Sequence, residues 1–181
     1  MEYGSEFDFN DFHEMNDIVA PNCLNLGEDN RLLFSGRTAI DLVIEDIKIN
    51  KSINNVYMPS YCCDSMLRPF IDNNINLVFY DVTYNDKFTY NIDYNKEIDI
   101  FYCMNYFGFS DEDLDNIIYR FNSKGVTVIE DVTHRIFSRQ RFSLYSDYLV
   151  ASLTKWLPVI SCGLASKKKG MFYKVGLFSP N

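Results

Sequence analysis

Apolar side chains recur along this chain with two periods, and the periods alternate. In residues 37–49, Ala39, Ile40, Val43, Ile44 and Ile47 fall at three- and four-residue spacings, the stripe of an amphipathic helix. Residues 56–59 follow as a short strand that stops at a proline. Residues 64–72 read as a second helix, bent or shortened at Pro69, whose ring removes a backbone donor. Residues 76–82 and the near-continuous apolar run 98–105 have strand length. Residues 111–124 form a third helix, with acids in its first turn and Gly125 placed to close it. Segments 126–130, 147–152 and 162–166 complete the strands.

Strands that are apolar on both faces and alternate with helices build a mostly parallel sheet covered on both sides. The expected architecture is therefore α/β, a three-layer sandwich. Ligands of such sheets gather at the carboxyl ends of the strands. That rule singles out Ser60 and Tyr61, residues 105–108, residues 131–134 and residues 152–155.

Composition narrows the classes. The 181 residues match one domain, and 47% hydrophobic against 23% charged residues excludes a disordered chain. Charge divides by region. Residues 1–30 hold eight acids and no Lys or Arg, while the remainder balances acids with bases. Residues 1–30 thus read as an acidic arm whose Tyr3, Phe7, Phe9 and Phe12 dock on the body or on a second subunit, and residues 31–181 as the domain. A body without basic excess argues against nucleic acid as the main partner. Five cysteines, an odd number without CxxC spacing, fit reduced thiols in the cytoplasm. With no signal peptide and no apolar run near ~20 residues, no membrane partner is expected.

Singly, the residues at the strand ends are ambiguous. Lys155 stands among Leu153, Trp156 and Leu157. Apolar surroundings would favour its neutral amine, although a lysine at a strand end is more often a surface residue. Ser152, three residues earlier, makes a Ser-x-x-Lys turn that can hold an anion or act as a local cap. The same spacing occurs in serine acyl-transfer enzymes, whose further motifs are missing here. Asp131 can serve a metal, a ribose or a protonated ring nitrogen, or cap the next segment. His134 can meet a cofactor or move a proton, or be a structural histidine; His13, in the acidic arm, is not a catalytic candidate. Ser35, Gly36, Arg37 and Thr38 open the first helix, where free amides attract phosphate or simply receive a cap. Neither GxGxxG nor GxxxxGK[ST] is present. Cys62 and Cys63 read as small buried thiols or a redox pair, and Lys167, Lys168 and Lys169 as a solvated turn. No metal site is expected.

In order and spacing these pieces resemble the large domain of fold-type-I pyridoxal-phosphate (PLP) enzymes. Within that group they look like the DegT/DnrJ/StrS family of sugar aminotransferases. The resemblance runs over residues 3–166 and lies in SGRTAIDLVI, MPSYCC, NYFGF, VTVIEDVTH and SDYLVASLTKW, with an opening YGSEFDF similar to one branch. It implies that Lys155 is the lysine that holds PLP covalently and that Asp131 pairs with the pyridine nitrogen. It further implies that His134 lies near the phenolic oxygen, that Ser152 contacts the phosphate, and that Gly36, Arg37 and Thr38 form the phosphate loop. The ring-stacking position falls on Cys63, with Tyr61 the nearest aromatic. The implied activity is transamination from a donor such as glutamate to a keto-sugar nucleotide, in a cytoplasmic homodimer. A histidine in place of the lysine would mark a dehydratase branch, which Lys155 argues against. The resemblance also implies a truncated domain, because family members carry a later half and a small domain. The alternative expectation is a non-catalytic paralogue used for binding or dimerisation.

Overall fold

The computed structural model describes residues 26–108, 112–137 and 142–173. Among these residues, eight strands form one mixed sheet. They are β1 (Asp29–Leu33), β2 (Asn55–Pro59), β3 (Asn76–Asn85), β4 (Lys87–Asn91), β5 (Ile100–Met104), β6 (Thr127–Asp131), β7 (Tyr148–Ser152) and β8 (Gly163–Lys167). Their order is β1-β8-β7-β6-β5-β2-β3-β4. The five central strands from β7 to β3 are mutually parallel, while β8, β1 and β4 join antiparallel. The central strands are apolar on both faces because helices cover both, and β5 is buried at every position.

Among the described residues, three α-helices supply the outer layers: α1 (Gly36–Asn50), α2 (Asp64–Asp72) and α3 (Glu112–Asn122). The β2-α2-β3 crossover moves one way along the sheet and β5-α3-β6 moves the other. Right-handed crossovers in opposite directions put α2 and α3 on opposite faces. The α1 stripe Ala39, Ile40, Val43, Ile44 and Ile47 is buried against α2, β7 and β8. On the α3 side, Phe121 stacks on Phe101 of β5 at 4.3 Å between ring centres. Gly125 closes α3 at φ +79°, a backbone region that favours glycine.

Two strands escape the apolar pattern. β4 returns from β3 through Asp86 at φ +62° and is mostly exposed, so its alternation of polar and aromatic residues reads as a loop. β1 begins at Asp29, at the end of the acid-rich stretch, and Leu32 is exposed on it. Both are edge strands and need only one bonded neighbour. α2 runs its full expected length with Pro69 inside it. Tyr3, Phe7, Phe9 and Phe12 lie outside the described residues.

A buried carboxylate locks α1 to the sheet. Asp46 Oδ2 accepts from the Tyr148 hydroxyl (2.6 Å) and Lys167 Nζ (2.7 Å), and Oδ1 accepts from the Tyr173 amide (2.9 Å). Asp29 similarly accepts the Phe172 amide (3.0 Å) and pairs with Arg31. Burial would raise the Asp29 carboxyl, but these donors outweigh it and hold it below its ordinary value.

Asp46→Ala would leave the Lys167 ammonium without its counter-charge. We expect a loss of about 3–5 kcal/mol in denaturant unfolding. Tyr148→Phe, which removes one donor to the same carboxylate, should cost about 1.5–3 kcal/mol in the same measurement.

Candidate functional site

Parallel strands end at a common level, and here the level is set by register. Met104 of β5 pairs with Asp131 of β6, which pairs with Val150 of β7. The opposed crossovers open a crevice beyond these ends, at the point where the strand order reverses. A cleft of about 560 Å³ lies there. It is lined by Gly36 and Arg37 from the start of α1, Cys63 from the turn before α2, Met104, Asp131, His134, Ser152 and Lys155.

Each lining residue is placed by local structure. Ser35 caps α1 through a reciprocal box: its Oγ accepts the Thr38 amide (3.2 Å), while Thr38 Oγ1 accepts the Ser35 amide (2.8 Å). The Thr38 hydroxyl also donates to the Ser35 carbonyl (2.8 Å). Thr38 therefore shapes the helix start and is not among the cleft-lining residues. The amides of Gly36 and Arg37, at the first two helical positions, have no acceptor within the helix. A Cβ at Gly36 would stand 3.1 Å from the Ser152 Cβ, so glycine lets the start of α1 pack close against the end of β7.

Asp131 is buried, 7% exposed, and both of its oxygens have donors. The Thr133 amide donates to Oδ1 (2.8 Å) and the Tyr102 hydroxyl to Oδ2 (2.8 Å). Burial, then the adjacent Asp131, pushes ionisation of Tyr102 well above the usual phenol range, so its hydroxyl stays a donor.

Thr133 joins three parts of the site. Its amide holds Asp131, its Oγ1 accepts the Ser152 amide (3.0 Å), and its carbonyl accepts the Trp156 indole N–H. The last two contacts tie the 3-10 turn Leu153–Lys155 to the turn Thr133–Arg135. Lys155 itself is exposed at the cleft, not enclosed by apolar side chains as its neighbours in sequence suggest. Leu153 takes the buried position instead.

His134 stacks face to face on Phe107, with 5.2 Å between ring centres, and its Nδ1 accepts the Phe107 amide (3.1 Å). An accepting Nδ1 places the ring proton of a neutral imidazole on Nε2. Cys63 lines the cleft, with its Sγ 2.9 Å from Ser65 Oγ. Tyr61 does not reach it. Tyr61 stacks on Tyr106 (5.6 Å) and borders a separate cleft with Tyr84, Phe88 and Phe107. Among the described residues no three His, Cys, Asp or Glu side chains come together to hold a metal ion. None of the described helices is long and apolar enough to cross a membrane.

Tyr102, Thr133 and Trp156 escaped the sequence reading. Tyr102 sits opposite Ile129 in register and meets Asp131 only diagonally across two strands, so strand pairing must be known first. Thr133 lay within the strand-end segment 131–134, and its polarity next to Asp131 was the available signal.

No protein-family model matches the sequence, and no curated protein matches it. Solved structures match the fold. 3-Amino-5-hydroxybenzoic acid (AHBA) synthase superposes with a TM-score of 0.66 at 16% identity, over 80% of this chain and 39% of that one. An aminotransferase from Psychrobacter cryohalolentis gives 0.62 at 14% identity, over 82% and 39%. A PLP-bound chain from Clostridium difficile 630 gives 0.58 at 15%, over 76% and 41%. The chain thus spans about two-fifths of the length of the structures it matches. The eight-stranded sheet and its helices have the fold of the N-terminal portion of PLP-dependent transferases, the α/β class expected from the sequence.

Proposed function

We propose that the cleft is the PLP site of an aminotransferase. The observation that carries this reading is the convergence of the α1 start, Asp131, Ser152 and Lys155 on one cleft at the ends of adjacent parallel strands. The chemistry of the residues fits the group. The Gly36 and Arg37 amides and the Ser152 hydroxyl suit a phosphate at a helix start. The Asp131 carboxylate suits a protonated ring nitrogen, and the lysine supplies a primary amine. Glycine at position 36 lets the start of α1 pack close to Ser152, so the α1 amides and the Ser152 hydroxyl stand near one another.

PLP, when bound, supplies an electron sink that eases loss of a proton from an attached amino acid. The chain's own residues do the rest. Asp131, oriented by its two donors, would face the ring nitrogen. Ser152 and the α1 amides anchor the phosphate. Lys155 Nζ would hold the group through its carbonyl carbon, and the amine, once displaced by the amino donor, would move a proton between neighbouring carbons. His134 Nε2 is the donor available to an oxygen of the ring. Cys63 and not Tyr61 lines the cleft.

The finer reading rests on the sequence resemblance to DegT/DnrJ/StrS enzymes. It assigns glutamate or a similar amino acid as donor, a keto-sugar nucleotide as acceptor, and the cytoplasm as location. A homodimer is supported by Phe34 and Ile160, 76% and 83% exposed, on segments joined by the Ser161 hydroxyl to the Phe34 carbonyl. The same apolar surface favours the second reading, a non-catalytic binding or dimerisation module.

One titration separates the two. Added PLP should give the visible absorbance band of lysine-bound cofactor, and Lys155→Ala should abolish it. A wild-type chain with no band would overturn the catalytic reading. Thr133→Val removes the acceptor that fixes Ser152 and should weaken PLP binding about fivefold in the same titration, as one neutral hydrogen bond warrants.

A further inference from the structure

We propose that Tyr102 is a positioning residue for the Asp131 carboxylate: its buried hydroxyl fixes the orientation in which that carboxylate meets the ring nitrogen of the cofactor. The inference rests on the reading of the cleft as a PLP site.

Tyr102 is wholly buried in the middle of β5, where packing alone would be served by phenylalanine. The neighbouring β5 position, Phe101, is such a residue, stacked on Phe121. At position 102 the ring instead carries a hydroxyl, and that hydroxyl donates to Asp131 Oδ2 at 2.8 Å. Tyr102 is itself held at its ring and at its backbone. Phe70 of α2 packs edge-on to it, with ring centres 5.8 Å apart at 87°. The Tyr80 hydroxyl donates to the Tyr102 carbonyl at 3.1 Å. The donor is therefore fixed by the core and not by the cleft.

The consequence follows from carboxylate geometry. The terminal torsion of aspartate is broad, so one hydrogen bond leaves the group free to turn. Asp131 has two donors on different oxygens: the Thr133 amide, just beyond β6, on Oδ1 and the Tyr102 hydroxyl, from the middle of β5, on Oδ2. Together they define the plane of the group. Each ionised oxygen accepts more than one hydrogen bond, so acceptor capacity remains for a ligand. Burial adds force to this arrangement, because a charge-assisted bond away from water is stronger than a neutral one.

The test is a double-mutant cycle read by PLP affinity. Wild type, Tyr102→Phe, Asp131→Asn and the double variant are titrated with PLP and followed by the visible band, with thermal melts alongside. Tyr102→Phe should weaken PLP about tenfold and move the pH midpoint of the band. In the Asp131→Asn background the same change should alter affinity less than about twofold, because the partner charge has gone. An equal loss in both backgrounds would reduce Tyr102 to a core residue and overturn the inference. Unchanged affinity in the single variant would do the same. Should Tyr102→Phe fail to fold, Tyr102→Met fills similar space without a hydroxyl and takes its place in the cycle. A wild-type chain that takes up no PLP overturns the cofactor reading itself and this inference with it, whereas a binding wild type with an uncoupled Tyr102 overturns only the inference.

Discussion

The parallel register of β5, β6 and β7 is the constraint on which the rest depends. Because Met104, Asp131 and Val150 stand side by side, β5 and β6 end together and β7 runs two residues further, to Ser152. β5 and β6 cannot return by a hairpin to a parallel neighbour, so the segments that leave them turn over the edge before crossing a face, whereas β7 returns through the Leu153–Lys155 turn to its antiparallel neighbour β8. Those turns are the walls of the cleft. A one-residue slip of β6 would turn Asp131 to the other face of the sheet and move Ile129 off Tyr102. The carboxylate, its phenol and the Ser152–Lys155 turn therefore share one determinant, the pairing of three short apolar strands.

Within that frame the polar groups are used to hold turns, where apolar packing is weakest. Ser35 and Thr38 satisfy each other's backbone and so define the first turn of α1, which borders the cleft. Thr133 spends its amide, hydroxyl and carbonyl on three different neighbours. Behind them Glu130, adjacent to Asp131 and facing the opposite side, is wholly buried; burial raises its proton affinity, which Ser146 and Arg135 partly offset. Burying such a charge is costly without partners, and its partners lie in the turn after β6 and in the segment that leads into β7. Consecutive residues of one strand thus send one carboxylate to the cleft and one to the supporting loop.

The helices, the apolar strands and the α/β class were legible in the chain because burial on one stripe or on two faces leaves a period in the sequence. The stripe of α1 and the continuous run of β5 are the clearest cases. Edge strands β1 and β4 leave no such period, since they bury little and bond on one side. Of the candidate site residues, Gly36, Arg37, Cys63, Asp131, His134, Ser152 and Lys155 line one cleft, while Thr38 caps a helix and Tyr61 stacks elsewhere.

That division has a physical basis. Local order along the chain, set by hydrophobic period, caps and glycine, follows from interactions between residues close in sequence. Asp131 and Ser152 could be placed at strand ends on that ground alone. Which side chains meet across strands follows from register, and register is a property of the whole sheet. Only the tertiary structure therefore decided that Tyr102 donates to Asp131, that Thr133 holds Ser152, that Lys155 is exposed at the cleft, and that Cys63 borders it while Tyr61 turns away.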